Sequence, residues 1–270
     1  MYEQSTPDQT LEVDNTRKGY ESFFDKIDFS KEFPKQEYRG TLESAIDALS
    51  EELKADQPDV ASLILYPPRL MRAIIDTRVE FPEDEGLIDL YYKTLLIITS
   101  VYSSDAKSLK LLGDFRRQLQ EQPSLLKREI QQKKDAASWY AGEPENAERA
   151  VGQLETLTGG TDIVFLPLAH GGVATGYDIF LRYIQNTSSI NSVAFPIRFS
   201  RNKMKDEEPQ VDEELKDMIG KFCDGRTVVI YEEDTVTEKT ILSAEAFFKK
   251  NFPDAKIVKL SSSDSINWSW

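Results

Sequence analysis

The pattern of apolar residues changes character at Gly159-Gly160, and this change constrains the fold more than any other feature of the chain. Beyond it, DIVFLPLA (162–169) is an unbroken apolar run, as in a strand buried on both faces. GVATGYDIFLRYIQ (172–185) follows with helical spacing, then SVAFPIRF (192–199) as a second strand. VDEELKDMIGKF (211–222), RTVVIYEE (226–233), TEKTILSAEAFFKKN (237–251) and AKIVKLSS (255–262) continue the alternation of helix and strand. Such alternation means βαβ units and a parallel sheet, so residues 158–270 are predicted to form an α/β domain.

Before Gly159 the spacing is helical from Thr41 to residue 157, with no strand-like alternation. In TLESAIDALSEEL, Thr41 is placed to cap a helix whose Leu42, Ala45, Ile46 and Leu49 share one face. PPRLMRAIIDTRV is read as a helix opened by its prolines. GLIDLYYKTLLIITSVY, KSLKLLGDFRRQLQ, SLLKREIQQKKDAASWY and ENAERAVGQLETL complete a mostly helical domain, 41–157, expected to pack against the sheet. Residues 1–40 are read as a polar arm that docks through Tyr20, Phe23, Phe24, Phe29 and Phe33.

Composition narrows the functions. A formal net charge of −14 repels a nucleic-acid backbone over most of the surface. A single cysteine, Cys223, excludes an intrachain disulfide, and a single histidine, His170, excludes a multi-histidine metal site. The N-terminus has no signal-peptide pattern and no apolar run is long enough to span a bilayer, so a cytoplasmic protein without membrane contact is expected.

The chemistry concentrates in TVVIYEEDTVTEKTILSA (227–244). An apolar strand ends in adjacent acids, and a threonine-rich turn then opens a helix. Backbone N–H groups, hydroxyls and a helix N-terminus suit a phosphate, and the acids suit ribose hydroxyls and Mg²⁺. The stretch resembles the phosphoribosyl-pyrophosphate (PRPP) motif of type I phosphoribosyltransferases. On that resemblance Glu232 and Glu233 are the catalytic, ribose-orienting and Mg²⁺-binding acids. Val236, Thr237, Glu238, Lys239 and Thr240 form the phosphate turn, with Asp234 and Thr235 leading into it. A register pairing Glu233 with Asp234, one residue shorter, fits about as well. Both acids of the first register are Glu where the family has Asp, and Glu238 replaces the family glycine.

The resemblance covers roughly residues 160–262 and implies two further elements. Ala169, His170, Gly171 and Gly172 follow the first strand where the family has its pyrophosphate loop. His170 is open to binding pyrophosphate, to meeting a partner carboxylate, or to a passive hydrogen-bonding role there. After the second strand, Arg198, Arg201, Lys203 and Lys205 match a mobile lid over the site. The implied function is a Mg²⁺-dependent phosphoribosyltransferase binding PRPP or a related compound, with a nitrogen acceptor. The alternative is a non-catalytic nucleotide sensor or regulatory subunit on the same fold. The helical region is then a surface for a homo-oligomer or a protein partner.

Overall fold

A computed structural model describes residues 20–84, 86–198, 209–233 and 239–262. Its centre is a parallel sheet in the order β4–β3–β6–β7, formed by β3 (Ile163–Ala169), β4 (Val193–Ala194), β6 (Thr227–Glu232) and β7 (Lys256–Ser261). β5 (Ile197–Arg198) also pairs with β3 in parallel. Every residue of β3 is buried, as the unbroken apolar run requires. The predicted second strand is split into β4 and β5 at Phe195-Pro196, where proline cannot donate to the ladder. The Pro196 carbonyl instead accepts from the Tyr91 hydroxyl at 2.9 Å.

Helices α9 (Gly172–Thr187), α10 (Glu213–Cys223) and α11 (Lys239–Asn251) connect the strands. From β3 the chain turns to β4 on one side, and later enters β6 on the other side of β3. The connections therefore diverge between β3 and β6, the point at which open α/β sheets form a ligand crevice outside the strands' carboxyl ends.

Among the described residues, the N-terminal part contains α1 (Phe29–Glu32), α2 (Leu42–Glu52), α3 (Val60–Glu80), α4 (Gly86–Tyr102), α5 (Ser108–Gln120), α6 (Pro123–Leu126), α7 (Ala136–Tyr140) and α8 (Pro144–Thr158). Thr41 caps α2 through a full capping box with Ser44. Two expectations are corrected. First, α3 begins two turns before its prolines, so Pro67 and Pro68 lie inside it. Pro68 has no N–H to give the Ile64 carbonyl, and the Tyr102 hydroxyl supplies that hydrogen bond at 2.8 Å. Second, the stretch 124–140 is not one helix: β2 (Glu129–Gln132) interrupts it and pairs antiparallel with β1 (Tyr38–Thr41). Arg69 of α3 holds this ribbon, donating to Gln132 Oε1 at 3.0 Å and to the Lys35 carbonyl at 2.9 Å. Its guanidinium lies over Tyr38 and Tyr66, 4.3 and 4.9 Å from the ring centroids.

The helical part and the sheet share one hydrophobic core. α3 packs against β5, α9 and β2, and α8 packs against α9 and β7. The arm is fastened at Asp178 of α9, which is fully buried and accepts from Tyr20 and Ser22 at 2.7 and 2.5 Å and from Arg182 at 2.8 Å. Among the described residues no helix is long and apolar enough to cross a membrane.

Candidate functional site

The turn at the end of β3 and the acids at the end of β6 meet at the crevice. β3 ends at Ala169, the Ala169–His170 peptide is cis, and α9 begins at Gly172. Gly171 has φ −60° and ψ −49°, a conformation open to any residue, so its lack of a side chain is a matter of space. A Cβ there would fall 1.7 Å from Glu233 Oε1 and 2.5 Å from Ser138 Oγ. A Cβ on Gly172 would fall 3.0 Å from Glu233 Oε2. Gly176, one turn on, clears Pro167 and the Tyr231 ring, each 2.9 Å from its would-be Cβ. The glycines thus make room for the second acid and for the tyrosine that precedes the pair.

Glu233 Oε1 accepts from Ser138 Oγ of α7 at 2.7 Å. Burial raises its pKa from the usual 4.5 to about 8, against the lowering effect of the Ser138 and backbone hydrogen bonds; Asp135 and Glu232 add to the rise. The shift favours the protonated form of Glu233 near neutral pH. Glu232 is half-buried at the last position of β6.

A second cluster lies beside the turn. Asp76 of α3 accepts from His170 Nε2 at 3.0 Å and from Arg198 Nε at 2.8 Å, with Arg72 Nε 3.9 Å away. Burial alone would raise the Asp76 pKa, but the His170 hydrogen bond and the charges of Arg198 and Arg72 hold it well below the usual range. Burial lowers the His170 pKa to about 4 in spite of Asp76. The imidazole is then neutral at pH 7, with Nε2–H toward the carboxylate. Among the described residues its Nδ1 is a buried acceptor without a partner, and Arg198 Nη1 is likewise buried and unpartnered. His170 is thus held on the Asp76 carboxylate. Arg198 is 4% exposed and fixed on Asp76, so it is not a cation of a mobile lid.

Two cavities flank Arg72. One, of about 110 Å³, includes Phe24, Ser138, Trp139, His170 and Gly171 in its walls. The other, of about 230 Å³, lies between α3, β2 and β5. A larger cavity of about 300 Å³ on the far side of Arg198 is walled by apolar side chains and the Arg78–Asp212 ion pair.

Of the remaining expected site residues, Lys239 is exposed and Thr240 half-buried at the start of α11. Asp234, Thr235, Val236, Thr237, Glu238, Arg201, Lys203 and Lys205 lie outside the described residues. Glu233 is half-buried and bonded to Ser138, and with its raised pKa a Mg²⁺ ion would have to displace a proton to use it as a ligand. Among the described residues no group of three or more His, Cys, Asp or Glu side chains is arranged to hold a metal.

Sequence reasoning missed Arg72, Asp76 and Ser138. The signal for the first two is an arginine and an aspartate four apart on one face of a largely apolar helix; Ser138 in KKDAASWY carries none. Cys223 is a spectator, its thiol pushed up to about 11 by burial. No family model, curated protein or solved structure matches this chain.

Proposed function

We propose that this protein binds a phosphoribosyl compound, PRPP or a nucleoside monophosphate, at the crevice between β3 and β6, and that it senses the ligand without transferring its phosphoribosyl group. One observation carries this reading: the acid at the end of β6 is folded into the glycine turn at the end of β3 and hydrogen-bonded to a serine of the helical region. The turn and acid are the pair that the phosphoribosyltransferase resemblance names, and they lie at the divergence point where open α/β sheets take their ligands. Yet Glu233 is engaged by Ser138, and its raised pKa makes it a weaker partner for Mg²⁺.

Phosphate entering the turn must displace the Glu233 carboxyl, and this breaks its bond to Ser138. Ligand occupancy then reaches α7 and the helical region through one hydrogen bond. His170 Nδ1, a buried acceptor beside the turn, is free to take a ligand hydroxyl.

Calorimetry with PRPP and with a nucleoside monophosphate, with and without Mg²⁺, together with an assay for released pyrophosphate, tests the reading. Binding without pyrophosphate release is expected, and Gly171→Ala should weaken it by filling the turn. Pyrophosphate release in the presence of a nitrogen acceptor would restore the transferase reading. If no phosphoribosyl compound binds, the fold serves another purpose.

A further inference from the structure

Arg72 is a half-buried guanidinium with five N–H donors, and among the described residues its one ionic partner is Asp76 at 3.9 Å, beyond hydrogen-bonding distance. Its side chain is only 16% exposed, and burial lowers its pKa. Neighbouring Arg198 spends Nε on Asp76 and leaves Nη1 buried without a partner. Both arginines line the cavity of about 230 Å³ between α3, β2 and β5. The third arginine of that cavity, Arg128, is already satisfied by both oxygens of Glu80, at 2.5 and 2.8 Å. Burying a guanidinium N–H without an acceptor is costly, and Arg198 Nη1 beside the half-buried Arg72 fork gives this cavity room and donors for an oxyanion.

The charge balance sets its valence. Arg128 and Glu80 cancel, His170 is neutral, Glu129 is exposed at the rim, and Asp76 offsets one of the two remaining arginines. Among the described residues a single positive charge is left over. We propose that this cleft binds one oxyanion group of a small molecule, a carboxylate or a phosphate monoanion, between Arg72 and Arg198. The planar forks of the two arginines match either group. The site is built by the helical region and by the edge of the sheet away from β6, and it does not depend on phosphoribosyl binding at the turn.

The test uses the full chain with sodium phosphate and sodium acetate as separate probes, against sodium chloride at equal ionic strength. Calorimetry should show one saturable site for at least one probe, and the probe that saturates identifies the group. Arg72→Met should weaken that site at least about tenfold, as expected for loss of charge-assisted hydrogen bonds. In chloride alone the same variant should melt no lower than the parent, because it gives up no hydrogen bond. Arg72→Lys keeps the charge but loses the fork, and should also bind more weakly than the parent. Lys249→Met, which removes an exposed charge outside the cleft, should change nothing. Gly171→Ala, which blocks the turn, should leave the anion bound. The proposal is overturned if neither probe saturates, if both Arg72 variants bind like the parent, or if Gly171→Ala rather than Arg72→Met abolishes binding.

Discussion

Glu233 gives the sharpest expectation at the scale of single residues. Its carboxyl holds a proton to about pH 8 in the folded chain, whereas the unfolded chain releases it near 4.5. Between those values the folded state binds more protons, so stability falls as pH rises from about 4.5 to about 8 and levels off above. The contribution is on the order of a few kcal/mol. Glu233→Gln keeps an acceptor for Ser138 and removes the titration. Its melting temperature should match the parent's near pH 5 and exceed it at pH 8. Parallel curves for the two proteins over this range would mean that Glu233 is ionised and solvated. The placing of Glu232, Glu233 and Gly171 at the ends of β6 and β3 was legible in the sequence, because acids after an apolar strand and glycines after another are local patterns. That the glycines exist to admit Glu233 was not legible, since it needs a contact across 62 residues of chain, by numbering from 171 to 233. Arg72 and Asp76 were passed over for a related reason: a charge on an apolar helix face reads as a solvated edge until the neighbouring sheet is in place.

Among the elements, the buried strands were the easiest to read, because burial on both faces leaves an uninterrupted apolar run that nothing else in the chain imitates. β1 and β2 were unreadable: Tyr38–Thr41 has no fully buried residue and Glu129–Gln132 has one, so neither shows alternation. Their ribbon owes its place to Arg69 rather than to its own pattern. The start of α3 was misread because prolines suit a first turn, and here a distant hydroxyl lets them sit inside a helix instead. This substitution of partners can be measured. Tyr102→Phe leaves the Ile64 carbonyl buried without a donor and should cost about 1–3 kcal/mol in urea unfolding. In a Pro68→Ala background the restored amide serves that carbonyl, so the same change should cost clearly less. Equal costs in both backgrounds would show that the hydroxyl does not stand in for the missing N–H.

For the whole molecule, the shared core and the Asp178 anchor make the arm, the helices and the sheet one cooperative unit. Far-ultraviolet dichroism and tyrosine absorbance should therefore report one coincident transition in urea. A cut near Gly159 should not release two folded pieces. Separate transitions, or two soluble fragments, would contradict this. The parallel sheet followed from the sequence because alternating strands and helices leave few other arrangements. The seating of the helical region over the carboxyl edge of the sheet did not, since it depends on pairs such as Tyr91 with Pro196 and Arg78 with Asp212, far apart in the chain. Trp139 sits at this junction: buried, bonded through its indole N–H to the Phe29 carbonyl at 2.8 Å, and walling the same small cavity as His170 and Gly171. The chain's other two tryptophans, Trp268 and Trp270, are at its end. With those two replaced by phenylalanine, the protein carries one fluorophore at the seam between its helices and its sheet. Its emission becomes an internal dial on which any displacement of the glycine turn is read as a change in colour or brightness.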